Sequence, residues 1–269
     1  MNLLPDIEIV DLALFCDKTL IISDVHIGYE EALNKQGILV PRLQFEEMVK
    51  RVESIFKSLK NKKIEKIIVN GDLKHEFGTI SEQEWRNTLK FIDLLSKHCN
   101  ELILIKGNHD NILGPIAKKR NVKVLDYYVV EPITKKSINE KTSITKKIKK
   151  SLKILAKQSK KILITHGDKI PNKEILKDVS TIVIGHEHPA VSLKEGPRVE
   201  QFKCYLKGMY KGKNLIVQPS FNTIVEGTDL LRDEILSPFL KQNLDKFIVY
   251  VVEDKVYEFG KLKGLRENN

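Results

Sequence analysis

Lys66-Ile67-Ile68-Val69-Asn70-Gly71-Asp72-Leu73-Lys74-His75 compresses a strand and a reactive turn into one short stretch. The β-branched run from Lys66 to Val69 reads as a buried strand, and it stops at a glycine, a carboxylate and an imidazole. The same grammar recurs along the chain. Candidate strands at Thr19 to Ile22, Leu102 to Ile105, Lys161 to Thr165 and Thr181 to Ile184 run into four further clusters. These are Asp24-Val25-His26, Gly107-Asn108-His109-Asp110, His166-Gly167-Asp168 and Gly185-His186-Glu187-His188. Loops at the carboxyl ends of open α/β sheets converge on one crevice, so clusters far apart in sequence are expected to meet. Six of the seven histidines lie in them.

Around these clusters, short apolar runs alternate with longer amphipathic stretches, which is the pattern of an α/β fold. A strand is expected at Ile9 to Phe15, and others at Ala190 to Leu193, Lys203 to Lys207, Leu215 to Gln218, Phe247 to Val252 and Lys255 to Phe259. The later strands follow one another like hairpins, so the second half should be the more antiparallel. Helices are expected at Tyr29 to Lys35, Gln44 to Leu59 and Glu82 to His98, with a short one after Asn111. Ser81 and Glu84 have the spacing of a capping box for the third.

The 269 residues sit near the upper size of a single core, and no repeat or linker divides them, so one domain over 1–269 is expected. Hydrophobic residues at 41% and charged residues at 30% exclude a disordered chain. No apolar run approaches the ~18 residues of a membrane span, and the amino terminus lacks a secretory pattern, so no membrane association and a cytoplasmic location are expected. Cys16, Cys99 and Cys204 are widely spaced and read as reduced thiols. The net charge of +10 is local: residues 133–161 hold eleven of the 46 bases and one of the 36 acids, leaving the rest neutral. Ile144, Ile148, Leu152 and Leu155 give this segment one narrow apolar stripe, so it reads as an inserted lysine-rich arm. Either a solvated helix face or contact with nucleic-acid phosphates would explain its charge. It has no aromatic residue for stacking on bases.

Imidazole with carboxylate is the donor set of intermediate divalent metals such as Mn, Fe, Zn, Ni and Co, and magnesium alone would not need so many histidines. Asp-x-His and His-x-His would put both ligands on the same side of an extended backbone. The adjoining glycines would let the chain turn sharply towards the metals.

The ordered set Asp-x-His, Gly-Asp, Gly-Asn-His-Asp, His and Gly-His-x-His resembles the calcineurin-like metallophosphoesterase superfamily, over Asp24 to His188. The resemblance implies a four-layer α/β/β/α sandwich of two mixed sheets flanked by helices. It further implies two divalent cations, manganese being the first choice. Asp72 would bridge them, Asp24, His26 and His188 would complete one site, and Asn108, His166 and His186 the other. Two such cations against two carboxylates and a hydroxide leave a charge of about +1, which attracts a phosphate ester without a protein nucleophile. By the same pattern His109 is the general acid, with Asp110 orienting it.

Gly-Asp-Leu-Lys-His and Gly-Asn-His-Asp differ from the protein Ser/Thr phosphatases, which have an Asp-Arg-Gly after their Gly-Asp and a Glu after Gly-Asn-His, and this argues against protein dephosphorylation. The former is similar to SbcD-type nucleases, in which the extra histidine handles the phosphodiester. His75 takes that role here, a packed or surface histidine being the plain alternative. The whole chain resembles the small archaeal SbcD-related phosphoesterases and the bacterial ones that accompany DNA ligase or helicase genes. The residues after His188 read as strands rather than as a helical ATPase-binding segment, so a coiled-coil ATPase partner is not expected. Phosphodiester hydrolysis on DNA or another nucleic acid is the leading reading. A small-molecule phosphatase, a cyclic-nucleotide phosphodiesterase and a non-catalytic metal-bound binding module are the rivals. Tyr29 and Glu30 should fall in a loop near the site, and Asp168 and Glu187 should be acids outside the ligand set. Pro219 to Asn222 should be a plain turn, Tyr205 and Tyr210 packing residues, and His98, at a helix end, either a favourable charge there or a packed residue.

Overall fold

The computed structural model describes residues 1–76, 81–110, 113–131 and 161–268. Its first sheet has seven strands in chain order: β1 (Asn2–Leu4), β2 (Ile7–Val10), β3 (Ala13–Cys16), β4 (Thr19–Ser23), β5 (Lys66–Asn70), β6 (Glu101–Ile105) and β7 (Lys123–Leu125). Pairing is antiparallel up to β4 and parallel from β4 to β7. The second sheet takes β8 (Tyr127–Val130), β9 (Ile162–Thr165), β10 (Thr181–Ile184), β11 (Pro189–Glu195), β12 (Arg198–Tyr210), β13 (Lys213–Val217), β14 (Thr228–Asp229), β15 (Ile248–Val252) and β16 (Val256–Lys261). Only β9, β10 and β13, with the short β11 and β14 pair, run parallel, so this sheet is the more antiparallel one.

Sequence periodicity explains the layering. Strand side chains alternate between faces, and on β9, β10 and β13 both faces are apolar. Ile162, Ile164, Val183 and Ile216 enter the core shared with the first sheet. Their neighbours Leu163, Ile182, Ile184, Leu215 and Val217 enter a second core. That outer core is closed by Leu176 of α5 (Lys173–Lys177), Phe239, Leu244 and Leu262 of α6 (Leu262–Asn268). On the far side of the first sheet, α2 (Gln44–Ser58) buries Met48, Val52 and Ile55, and α3 (Glu82–Ser96) buries Phe91, Ile92 and Leu95. Both sets have the spacing of one helical stripe. With α1 (Tyr29–Lys35) and α4 (Leu113–Arg120), the result is two mixed sheets flanked by helices.

Several expectations need correction. The single strand at Ile9 to Phe15 is a hairpin, β2 turning into β3 through Asp11, whose φ is 57°. Leu12 in that turn is fully buried, so apolarity hid the bend. The helix expected at Tyr29 to Lys35 is present as α1, so Tyr29 and Glu30 do not lie in the loop also expected for them. Ser81 does cap α3, accepting from the Glu84 amide, but the Glu84 carboxylate does not close the capping box and goes elsewhere. Of the two readings of His98 the packed one holds: its ring stacks on Phe56 with centroids 3.9 Å apart. Tyr205 and Tyr210 are buried packing residues, as expected.

The lysine-rich arm expected at 133–161 lies, apart from Lys161, outside the described residues. Its two ends are held together: Val130 pairs with Ile162 between antiparallel β8 and β9, and Lys161 makes a 2.8 Å ion pair with Glu131. Among the described residues, no helix is long and apolar enough to cross a membrane.

Candidate metal centre

Parallel strands deliver the candidate ligands at one end of the two sheets. Asp24 follows β4, Asp72 stands two residues past β5, Asn108 three past β6, His166 directly after β9 and His186 two past β10. The sheets are joined at this end by backbone: the Phe221 amide donates to Ser23 O at 2.8 Å, and the Asn222 amide to Asp24 O at 3.2 Å. Pro219 to Asn222 is therefore more than a plain turn, because it braces the backbone of Asp24. Gln218, fully buried, adds donors to Leu12 O and Ile21 O of the first sheet.

The ligand loops are not extended. Asp24, His26, Asp72, His186 and His188 all have left-handed backbone, with φ between 45° and 65°. This corrects the expected reason for the Asp-x-His and His-x-His spacing: alternate left-handed residues, rather than strand alternation, aim both side chains inward. Asp and His tolerate this region better than most residues, yet each such residue costs about 1–2 kcal/mol. Strain of this kind persists where surrounding structure fixes a functional geometry. Glycines leave the room. A Cβ on Gly71 would stand 2.1 Å from His166 Nδ1, one on Gly107 2.1 Å from Asp72 Oδ1, and one on Gly185 1.9 Å from Ser23 Oγ.

Three groups of donors result, one of them the imidazoles of His26, His75 and His109, which includes no carboxylate; the other two combine an aspartate with two histidines. Of these two, the first is Asp24, His26 and His188, with donor atoms within 4.8 Å of one another, and the second is Asp72, His166 and His186, within the same distance. Asn108 Oδ1 is 2.9 Å from His166 Nε2, which adds it to the second group. Asp72 lies between them, its Oδ2 being 3.4 Å from His166 Nε2 and 3.8 Å from His26 Nε2. His26 and His188 turn their Nε2 atoms to each other at 3.3 Å, and Asp24 Oδ1 is 3.2 Å from His188 Nε2. Two imidazole nitrogens facing each other in a buried setting can share one proton at most, whereas a cation between them would use both lone pairs.

The electrostatics point the same way. Burial alone would raise Asp24, but His188 and His166 outweigh it and hold its carboxyl below the ordinary value. Burial opposes charge on His166 too, yet Asp72 and Asp24 pull its pKa up to about 9. His26 is pushed well down by burial and by His188, and His186 is lowered by burial and by His166. Two buried carboxylates thus hold positive charge between them, and neutral imidazoles stand beside it. This donor set fits divalent metals, which would replace the His166 proton.

His75 and His109 lie against the first group. Their rings stack at 5.4 Å, and each is within 5.5 Å of the His26 ring. Tyr29 closes on His75 at 4.4 Å. His109 Nδ1 is 2.6 Å from His75 O, its amide donates to Asp72 Oδ1 at 2.8 Å, and its Nε2 is 4.0 Å from Asp72 Oδ2. Asp110 does not orient this ring. Its buried carboxylate instead accepts from the Gly107 and Leu73 amides, tying two loops together, and burial with nearby Asp72 pushes it up to about 6. Burial and the His109 charge lower His75 to about 4.

Two more residues matter: Lys74, which was not singled out in the sequence, and Glu84, which was read only as part of a helix cap. Lys74 is fully buried, and its Nζ donates to His109 O at 2.6 Å and to Glu76 O. Glu84 is also buried, and its Oε1 accepts from the His75 and Glu76 amides at 3.0 and 3.1 Å. Together they fix the two histidine loops relative to each other. The available signal was a lysine placed between a ligand and a histidine inside one motif. Glu187 is fully buried and accepts from the Leu236 and Ser237 amides, while Asp168 pairs with Lys169 at 3.5 Å; both stand outside the donor groups.

A family model described as calcineurin-like phosphoesterase matches residues 18–217. No curated protein matches the chain. Among solved structures, a nuclease MPE from Pseudomonas putida is 19% identical, with 93% of each chain covered and a TM-score of 0.56. A zinc complex of Vps29 from Entamoeba histolytica is 16% identical over 89% of this chain and 96% of that one, with a TM-score of 0.35. Phosphopantetheinyl hydrolase from Mycobacterium tuberculosis is 13% identical over 75% of this chain and 89% of that one, with a TM-score of 0.33.

Proposed function

The chain belongs to the calcineurin-like phosphoesterase family, a metal-dependent hydrolase family, and on that premise we propose that it hydrolyses phosphodiester bonds of nucleic acid. The observation that carries the proposal is the stacked pair His75 and His109 on one flank of the donor groups. A diester of two sugars has an alkoxide leaving group, which departs poorly unless it receives a proton. The extra histidine and the proton donor stand together where that oxygen would leave. The Pseudomonas putida protein that shares the fold over the full length is a nuclease, which agrees with this reading.

Asp24, His26 and His188 would hold one metal, Asn108, His166 and His186 the other, and Asp72 both. When bound, the cations supply the positive charge that attracts phosphate and the acidity that activates water. The protein's own part is proton handling and positioning. His109 donates Nδ1–H to His75 O, so the proton it delivers is the one its imidazolium form carries on Nε2. The Asp72 carboxylate, accepting from the His109 amide, ties this donor to the ligand that would bridge the metals. Lys74 and Glu84 keep the His75 and His109 backbones in place while the proton moves.

Manganese as working metal, kinship with the small archaeal SbcD-related enzymes and a cytoplasmic location belong to the same proposal, the last supported by three unpaired cysteines. So does a backbone contact between the lysine-rich segment and nucleic acid. Deleting residues 137 to 158 should weaken DNA binding and flatten its salt dependence while sparing a small chromogenic diester. The decisive assay compares protein loaded with Mn, Ni, Zn or Mg on p-nitrophenyl phosphate, bis(p-nitrophenyl) phosphate, cyclic nucleotides, DNA and RNA. Diester and nucleic-acid cleavage above monoester cleavage is expected; a clear preference for the monoester would refute the proposal.

A further inference from the structure

Beside the centre lies a cleft of about 440 Å³ that the reaction described above leaves unused. Gly107 and Asn108 line it, so it opens directly off the second donor group, whereas none of His26, His75 and His109 is among its walls. Tyr127 lines it as well. This tyrosine is the first residue of β8 and pairs in register with Thr165, which places it beside the strand that delivers His166. The residue is left 38% exposed. Pro171 and Ile175 add apolar surface, and the exposed Lys106 adds a cation, whereas Lys169 is paired with Asp168 at 3.5 Å and Asp126 adds a second carboxylate.

The volume lies within the roughly 300–1,000 Å³ of small-ligand sites. An open aromatic ring with apolar surface beside it is a composition that holds a base by stacking. Orientation follows from the chemistry. A phosphodiester at the centre carries two substituents, and the departing one has to face Nε2 of His109 to take its proton. The retained one extends to the side away from His75 and His109, where the cleft opens beside Asn108. We infer that this cleft is the subsite for the retained nucleoside, its base stacked on Tyr127. The inference rests on the nucleic-acid reading.

Two chromogenic esters read the subsite directly. Thymidine 5′-(p-nitrophenyl phosphate) and methyl p-nitrophenyl phosphate share their leaving group and differ only in the retained one. The manganese-loaded protein should favour the thymidine ester in kcat/KM. Tyr127→Ala should lose about 5- to 150-fold of that preference, the worth of one base–aromatic stack, mainly through KM. Turnover of the methyl ester should stay unchanged, and Tyr127→Phe should keep the preference. Ile175→Glu, which puts a negative charge beside the base, should lose it as Tyr127→Ala does. Matched oligodeoxynucleotide and oligoribonucleotide substrates then tell which sugar the nucleoside carries. If the protein cleaves nucleic acid and prefers the thymidine ester, but both alanine and glutamate variants retain that preference, the subsite is overturned and the nucleic-acid reading stands. If the unmodified protein shows no preference and cleaves no nucleic acid, both are overturned.

Discussion

Gly71→Ala is the substitution whose effect can be worked out most fully. Gly71 has φ of +81°, so an alanine there pays the left-handed penalty of about 1–2 kcal/mol. About 0.4–1 kcal/mol returns through the less mobile unfolded chain. Gly37, with φ of +84° and nothing within 4 Å of its Cβ position, carries the same backbone term and no clash. Both variants of the metal-free protein should therefore lose a few degrees in Tm, at roughly 2–4 °C per kcal/mol for a chain of about this size. Only Gly71→Ala meets the site. His166 Nδ1 must retreat from 2.1 Å to an ordinary contact of at least 3.4 Å, a shift of about 1.3 Å. Metal sites tolerate about 0.2 Å, and losing even a supporting contact costs about 10- to 100-fold in affinity. After dialysis against micromolar manganese, metal analysis should find two ions per chain in the parent and in Gly37→Ala, and one in Gly71→Ala. Two tightly held ions in Gly71→Ala would refute the placement of His166.

Other outcomes follow from the same geometry. His109→Ala should bind both metals yet lose about 10²- to 10⁴-fold in kcat on alkyl diesters, with bis(p-nitrophenyl) phosphate far less affected; normal turnover of an alkyl diester contradicts the proton-donor role. Lys74→Met should strand His109 O and Glu76 O and lower kcat more than it changes KM, since hydrogen bonds to a charged group are worth about 1.5–3 kcal/mol each. An unchanged kcat there would show that the histidine loops need no such tie. For Lys203, burial pushes the pKa down from 10.5 to about 7. Below pH 7 both folded and unfolded chains hold the proton; between 7 and 10.5 the folded chain gives it up first, so stability rises with pH across that window. The gain is at most about 5 kcal/mol at 1.36 kcal/mol per pKa unit, less because Ser220 Oγ, Val225 O and Glu226 O all accept from its ammonium. Denaturant titrations of the parent and Lys203→Met from pH 7 to 10 should differ by this slope, and parallel curves would contradict it.

The strands that carry the site were legible because β-branched runs such as Ile67 to Val69 end abruptly in glycine and ligand residues, and the clusters met as expected. What escaped notice was conformational or charged and buried. Nothing in residue type announces that Asp24 and His186 adopt left-handed backbone, because that is imposed by the loops around them. The burial of Lys74 and Glu84 had no signal in residue type, since a buried charge is rare and only its partners explain it. The thirteen-residue β12 was foreseen only at Lys203 to Lys207, because Arg198, Glu200 and Gln201 mask its outer half. The capping box at Ser81 was half right: the hydroxyl does its part, and the carboxylate is drawn away by two amides of the His75 loop.

The central claim is a pair of metals held by seven side chains on the loops after five strands. Electron paramagnetic resonance of the manganese-titrated protein tests it most directly, because two ions about 3.5–4 Å apart are exchange-coupled and one ion is not. The account predicts a coupled signal that saturates at two manganese ions per chain and is replaced by a single-ion signal in Asp72→Ala. An uncoupled spectrum saturating at one ion, or a coupled signal that survives Asp72→Ala unchanged, would contradict it.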